Sequence, residues 1–398
     1  MYSHKKNSVV FGLLLVTGLV LSACQPQIVE VVKEVPVEQV VEVEVEKIVE
    51  VDVEVTAEVD EPEVYKIGMM GSGPVTDLGW NYQLDQGGKK IVEHFGGAVE
   101  YVMIENVPFG EEVIETIELL IAEGADMIIE GAYAPPFADV SIEAHPDVEF
   151  IVFGTLLEKP ANVHWLWWNQ GSYAYLLGMT AALLTETDSV GYITPFDIPL
   201  MRTQFNSFAL GVQSVNPDIA TTVIALNSWY DPAGARTAAE ALVDAGIDVI
   251  GGDMDDPAKV AVAEERGVWV MGAYSNEQQA HGPTAWANTY VYDFGAMFIP
   301  LIEDAMSGNW KGNGELVFYN IGEGVDIGVW GENVPQDVVD QVEAVRAKMI
   351  SGKLDPFVGP WVDKNGIEVL PAGETLTDWE WTLGADYVLA GIEGAVGE

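Results

Sequence analysis

The feature that most constrains this chain is the stretch from Tyr65 to Asn81, where a short apolar run meets a loop rich in glycine and proline and then helical spacing. Tyr65, Ile67, Met69 and Met70 make the run, Gly71 to Gly79 cannot extend it, and a helix is expected to begin near Asn81. In an α/β sheet such a loop lies at the carboxyl end of a strand, where the crevice of the fold opens. This loop brings Asp77, Trp80 and Asn81 there. An indole beside a carboxylate and an amide suits a flat, polar, neutral ligand, because the ring stacks while the polar groups meet its edges. The competing reading packs Trp80 in the core and uses Asp77 as a helix cap.

The same punctuation recurs. Strands are expected at Val99 to Ile104, Met127 to Glu130 and Phe150 to Phe153, with helices at Glu111 to Glu123 and Phe137 to Ala144 between them, as repeated right-handed βαβ units require. The loop after the third strand carries Tyr133. His164 to Trp168 follows as a strand whose tryptophans mostly pack inside, with Trp168 facing a cleft, and a long apolar helix runs from Tyr173 to Leu184.

A second set of alternating elements starts at Ser189, with strands at Val190 to Ile193, Thr222 to Leu226, Val249 to Gly252 and Val268 to Gly272. Their loops carry Trp229, Asp253 and Tyr274, while Asp231 and Asp256, each just before a proline, are expected as helix caps. The fold class that follows is α/β, with two Rossmann-like lobes of parallel sheet. Residues 65–168 with about 286–315 are assigned to lobe 1, and 169–285 with about 316–398 to lobe 2, the crossings forming a hinge.

Ahead of this body the chain changes character. His4, Lys5 and Lys6 precede the apolar run Val9 to Leu21 and then Leu21-Ser22-Ala23-Cys24, the pattern of a lipoprotein signal peptide over 1–23 that makes Cys24 the lipidated first residue. The run is short for a bilayer-spanning anchor, the competing reading. Cys24 is the only cysteine, which excludes disulfides and thiol catalysis. Residues 24–64 alternate valine with glutamate, and between Gln25 and Val64 thirteen acids face only Lys33 and Lys47. A lone ribbon has nothing to bury its valines against, so this is read as a solvated, self-repelling tether in preference to a coiled coil.

The formal net charge of -46 excludes nucleic acid as a partner and argues against an anionic substrate. Gly71-Ser72-Gly73 lacks the third glycine of a dinucleotide fingerprint, since Thr76 stands there, and the five histidines show no zinc-ligand spacing. Asp253-Met254-Asp255-Asp256 begins like a calcium loop but lacks its glycine turn and distal glutamate. No cofactor, metal or catalytic group is therefore expected.

Three stretches together resemble the basic membrane protein family of ABC-importer receptors, whose better-known members bind purine nucleosides: Thr76-Asp77-Leu78-Gly79-Trp80-Asn81, Asn206 to Asp218, and Trp229-Tyr230-Asp231-Pro232. The resemblance covers nearly all of 65 to 350. It implies a type I periplasmic-binding-protein fold, a receptor and not an enzyme, ABC permease subunits as partners, and an extracytoplasmic location with the membrane reached through lipidated Cys24. It also implies that Trp80 and Trp229 sandwich a base, and the cleft-loop residues Asp77, Asn81, Tyr133, Asp253, Tyr274 and Trp168 are then expected around it.

The family's ribose-holding Gly-Val-Asp-x-Asp and lysine are replaced here by Gly272-Ala273-Tyr274-Ser275-Asn276 and Asn288-Thr289-Tyr290. A free purine base such as adenine is therefore expected over a nucleoside. The alternatives are a receptor for a sugar or other small polar solute and, in another class, a nucleoside or sugar hydrolase.

Overall fold

The computed structural model describes residues 64–154, 160–312, 316–376 and 384–397, so the leader, Cys24 and the Val/Glu tether lie outside the described residues. Apolar runs buried on both faces set the architecture, as parallel strands covered by helices require. The chain opens with β1 (Tyr65–Gly71), α1 (Trp80–Phe95), β2 (Val99–Ile104), α2 (Glu112–Ala122), β3 (Met127–Gly131), α3 (Pro135–Ala144), β4 (Glu149–Phe153) and β5 (Val163–Trp168). It continues through α4 (Gln170–Leu184), β6 (Ser189–Thr194), α5 (Pro199–Val215), β7 (Ala220–Ala225), α6 (Pro232–Asp244), β8 (Val249–Gly252), α7 (Ala258–Arg266), β9 (Trp269–Met271) and β10 (Trp286–Asn288). Then come β11 (Tyr290–Tyr292), α8 (Phe294–Met306), β12 (Leu316–Tyr319), β13 (Val325–Ile327), α9 (Gln336–Ile350), β14 (Trp361–Val362), β15 (Glu368–Leu370) and β16 (Ile392–Glu393).

Two six-stranded sheets result, in the orders β12-β5-β4-β3-β1-β2 and β10-β9-β8-β6-β7-β16. Every pairing within them is parallel. The expected α/β class with two parallel lobes is therefore what the chain forms. Successive residues of β1 serve opposite faces: Met69 packs with Leu84 and Ile91 of α1, and Met70 with Val113, Ile117 and Leu120 of α2.

In the second lobe α4 is apolar around its circumference and buried at every residue but Leu183, which is how a helix without a polar face must sit. It crosses α5 at two glycines. A Cβ on Gly178 would stand 1.9 Å from the Phe208 carbonyl oxygen, and one on Gly211 2.0 Å from that of Tyr175, so the two backbones touch.

The lobe boundaries differ from the expected ones. β10 joins the second sheet beside β9, and β12 the first sheet beside β5, so the later crossings follow Asn288 and Tyr319. These are edge strands of three and four residues, too short for periodicity to assign; partner pairing decides their sheet. The two later crossings are zipped by the antiparallel pair β11 and β13, Tyr290 opposite Ile327 and Tyr292 opposite Val325.

The last segment straps the second lobe. β16 lies parallel to β7, Asn206 of α5 donates to the Tyr387 carbonyl at 3.0 Å and accepts from the Leu389 amide at 3.0 Å, and Gln213 donates to the Ala390 carbonyl at 2.7 Å.

Candidate functional site

The carboxyl ends of both sheets face one cleft, and the loops there build a small cavity that opens to solvent. Trp80, Tyr133, Trp167 and Trp168 line it from the first lobe, and Met201, Gln204, Trp229, Asp255 and Tyr274 from the second. Gln170, at the start of α4, and Tyr292 of β11 line it from the crossings.

On the first lobe α1 begins at Trp80, and Asp77 caps its amino terminus. The Asp77 carboxylate accepts from the amides of Gly79 (2.8 Å), Tyr82 (3.0 Å) and Asn81 (3.1 Å) and from the Asn81 side chain (2.8 Å). Burial pushes its pKa up and those four bonds oppose the rise. Asp77 is thus the helix cap of the competing reading, and neither it nor Asn81 lines the cavity.

Trp80 does line it. Its Nε1 donates to the Gly131 carbonyl at 2.7 Å, and Phe153 and Phe294 meet its ring edge-on at centroid distances of 4.9 and 5.1 Å. Both readings of Trp80 therefore hold at once: one part of the indole belongs to the core and another to the wall.

Tyr133 and Tyr274 are bulky residues held at φ of 59° and 63°, the left-handed region that costs an aromatic residue strain. Tyr133 is held there by Glu130, whose buried carboxylate accepts from the backbone N–H groups of Ala132, Tyr133 and Ala134. Burial nevertheless pushes the Glu130 pKa up to about 7.

On the second lobe Asp231 caps α6 by accepting from the Gly234 amide at 2.9 Å, as expected. Trp229, two residues earlier, reaches the cavity, flanked by Phe196 at 4.9 Å and by Tyr133 of the opposite lobe at 6.4 Å. Asp253 stands behind the wall. Gly252, at φ 140°, turns the chain so that the Asp253 amide bonds the Ile193 carbonyl at 2.9 Å and its carboxylate accepts from the Tyr192 hydroxyl.

Burial pushes the pKa of Asp253 up to about 7, opposed by Tyr192 and the buried Lys259. Burial lowers that of Lys259 to about 8, with Asp256, Asp253 and Asp255 opposing. Asp256 accepts from the Ala258 amide at 2.9 Å at the start of α7.

Five of the eight expected residues, Trp80, Tyr133, Trp168, Trp229 and Tyr274, meet around one cavity. Asp77, Asn81 and Asp253 serve its scaffold. Asp255, Gln170, Gln204 and Tyr292 also line it, as do Trp167 and Met201, and none of these was among the expected residues. A lone glutamine in the first turns of each of the apolar helices α4 and α5 is the signal that could have found two of them.

The lobes are closed on each other. Ser275 donates to the Leu78 carbonyl at 2.6 Å, Gln278 to the same carbonyl at 3.3 Å, and Gln83 to the Tyr274 carbonyl at 3.1 Å. A Cβ on Gly79 would meet the Asp255 backbone at 2.7 Å, which shows how tightly the two loops abut.

Residues 64–355 match the model of the ABC transporter substrate-binding, PnrA-like proteins. The chain belongs to this family. It is similar to a purine-binding protein of Brucella abortus, 33% identical over 335 residues that span 83% of this chain and 93% of the relative. A Haloferax volcanii protein provisionally named an ABC transporter glucose-binding protein is 31% identical over 301 residues, 72% of each chain. The solved ABC transporter solute-binding protein from Aeropyrum pernix K1 superposes with a TM-score of 0.64 at 18% identity, covering 75% of this chain and 94% of that one, a likeness of fold.

As a PnrA-like substrate-binding protein, the chain takes up a small molecule outside the cytoplasm and works with permease components; it is not an enzyme, and the hydrolase reading falls. Among the described residues no helix is long and apolar enough to cross a membrane.

Proposed function

We propose that the ligand is a purine base, adenine-like, held flat between Trp80 and Trp229 in the closed cleft, and that lipidated Cys24 and the acidic tether hold the receptor at the outer face of the cell membrane. The observation that carries the ligand reading is that one cavity between the lobes has indoles from both lobes in its wall. Two lobes that each supply a ring can grip both faces of a flat molecule only when shut, so stacking rewards closure.

The purine-binding relative supports the same reading. The base is favoured over its nucleoside because Tyr274 and Tyr290, at the positions where the family resemblance puts ribose-holding groups, are buried aromatics 5.1 Å apart. They fill space and present no carboxylate or ammonium to a sugar.

A second reading, a hexose, draws on the Haloferax relative and on a lining that mixes tryptophans with Asp255 and Gln204. Calorimetry on the detergent-solubilised full chain with adenine, guanine, adenosine and glucose decides between them. Adenine binding at least as tightly as adenosine is expected. Adenosine a hundredfold tighter ends the base reading, and glucose binding alone ends the purine reading.

A further inference from the structure

We propose that Asp255 sets the ligand's hydrogen-bonding edge: it accepts from an N–H of the bound base and so selects planar heterocycles that carry a donor there. The inference rests on the purine reading above. Apart from Asp255, the side-chain amides and carboxylates in the lining are Gln170 and Gln204. Gln170 spends its Nε2 on the Leu200 carbonyl at 2.7 Å. Gln204 accepts from the Tyr173 hydroxyl at 3.2 Å, which leaves its Nε2 with only the Met201 sulfur at 4.0 Å, a weak acceptor. Asp255 is 4% exposed, and its Oδ1 is buried with no hydrogen-bond partner.

Asp253 and Asp256 also leave one buried carboxylate oxygen each without a partner, so position is what sets Asp255 apart from its neighbours. Asp77 is saturated by four donors, Asp253 takes the Tyr192 hydroxyl and Asp256 the Ala258 amide. None of the three lines the cavity. Asp255 does, and it faces both sides of the cleft: the backbone N–H of Trp80 on the first lobe favours its charged form, and Tyr274 stands beside it on the second, its hydroxyl donated to the Asp253 carbonyl at 3.0 Å. Burial, and after it the facing Asp77 carboxylate, outweigh that and push its pKa well up, and in either protonation state one of its oxygens can accept. An N–H from the ligand supplies the missing donor, while the free amide of Gln204 suits a ring-nitrogen acceptor on the same ligand. A site built to hydrogen-bond a donor rejects the analogue that lacks it far more strongly than an apolar pocket rejects a change of size.

The test measures affinities of the full chain for adenine, N6,N6-dimethyladenine and 9-methyladenine, which block the two donor positions in turn, with and without Asp255→Asn. At least one methylated analogue is expected to bind tenfold or more weakly than adenine to the unsubstituted protein. That ratio should fall below threefold in Asp255→Asn, whereas Trp229→Ala should weaken all three probes alike. Equal affinity of the unsubstituted protein for all three overturns the inference without recourse to any variant. An unchanged ratio in a folded Asp255→Asn overturns it too, and leaves the purine reading standing. If no purine binds the unsubstituted protein, that reading fails and takes the inference with it.

Discussion

Ser275 of the second lobe donates its hydroxyl to the backbone carbonyl of Leu78 in the first, at 2.6 Å, and Leu78 is held at φ 60° to present it. The bond joins two loops that rigid lobes bring together only on closing, so it belongs to the closed state and not to either lobe. Ser275→Ala removes it while Gln278 keeps a longer contact at 3.3 Å. A net hydrogen bond is worth about 0.5 to 1.5 kcal/mol, so ligand affinity should fall roughly two- to tenfold. Calorimetry gives the affinity, and solution scattering should show more open protein at a given ligand concentration. Unchanged affinity would mean that closure does not depend on this bond.

The two tryptophans should separate in their effects. Stacking on an aromatic side chain is worth about 1 to 3 kcal/mol per base, so Trp80→Ala and Trp229→Ala should each weaken a purine by roughly five- to more than a hundredfold. Trp80 also holds the Gly131 carbonyl and packs on Phe153 and Phe294, so its loss should lower the unfolding temperature as well. Trp229 sits in a loop and should leave that temperature nearly unmoved. Equal destabilisation by both would contradict the placement of Trp80 as part core, part wall.

Glu130 should make stability depend on pH in a definite direction. Its folded pKa of about 7 lies above the ordinary glutamate value of 4.5. Between those values the folded chain keeps a proton that the unfolded chain has released, so stability falls as pH rises through that window and the loss is complete above it. Glu130→Gln removes the dependence. Relative to the parent it should gain stability from pH 5 to pH 8, by up to about 3 kcal/mol, in denaturant unfolding run at both values. A difference that does not change with pH would rule out a raised Glu130 pKa.

Cys24→Ala should release the protein from the membrane fraction or leave its precursor uncut. Fractionation followed by mass measurement of the mature amino terminus checks this. A processed Cys24→Ala form that stays with the membrane would remove the lipid anchor from the proposal.

How much of this was legible in the residues depends on the scale of the feature. Strands such as β1, β2 and β8 were readable to within a residue, because buried parallel strands are continuous apolar runs with glycine or proline at their ends. The sheet membership of β10 and β12 was not, because it depends on hydrogen-bond partners far away in sequence. Trp80, Tyr133, Trp229 and Tyr274 were legible from their place in or at the end of loops after strands, whereas Trp167 and Tyr292, on strands themselves, were not. The acids were not: Asp77, Asp253 and Asp255 are alike in sequence, and what separates a cap, a brace and a wall is local backbone direction. Leu78 and Tyr274 adopt left-handed conformations that no residue preference announces.

The strap over the second lobe bears on where this protein can be cut or fused. The family match ends at Asp355, yet Tyr387, Leu389 and Ala390 are tied to Asn206 and Gln213 on α5, the helix that carries Met201 and Gln204 to the cavity. A truncation drawn at the family limit would strip one side of a helix whose other side meets the ligand, and would expose β7 as a bare sheet edge open to pairing with another molecule. A sensor built from this receptor should therefore carry its reporter on the amino-terminal side of Tyr65.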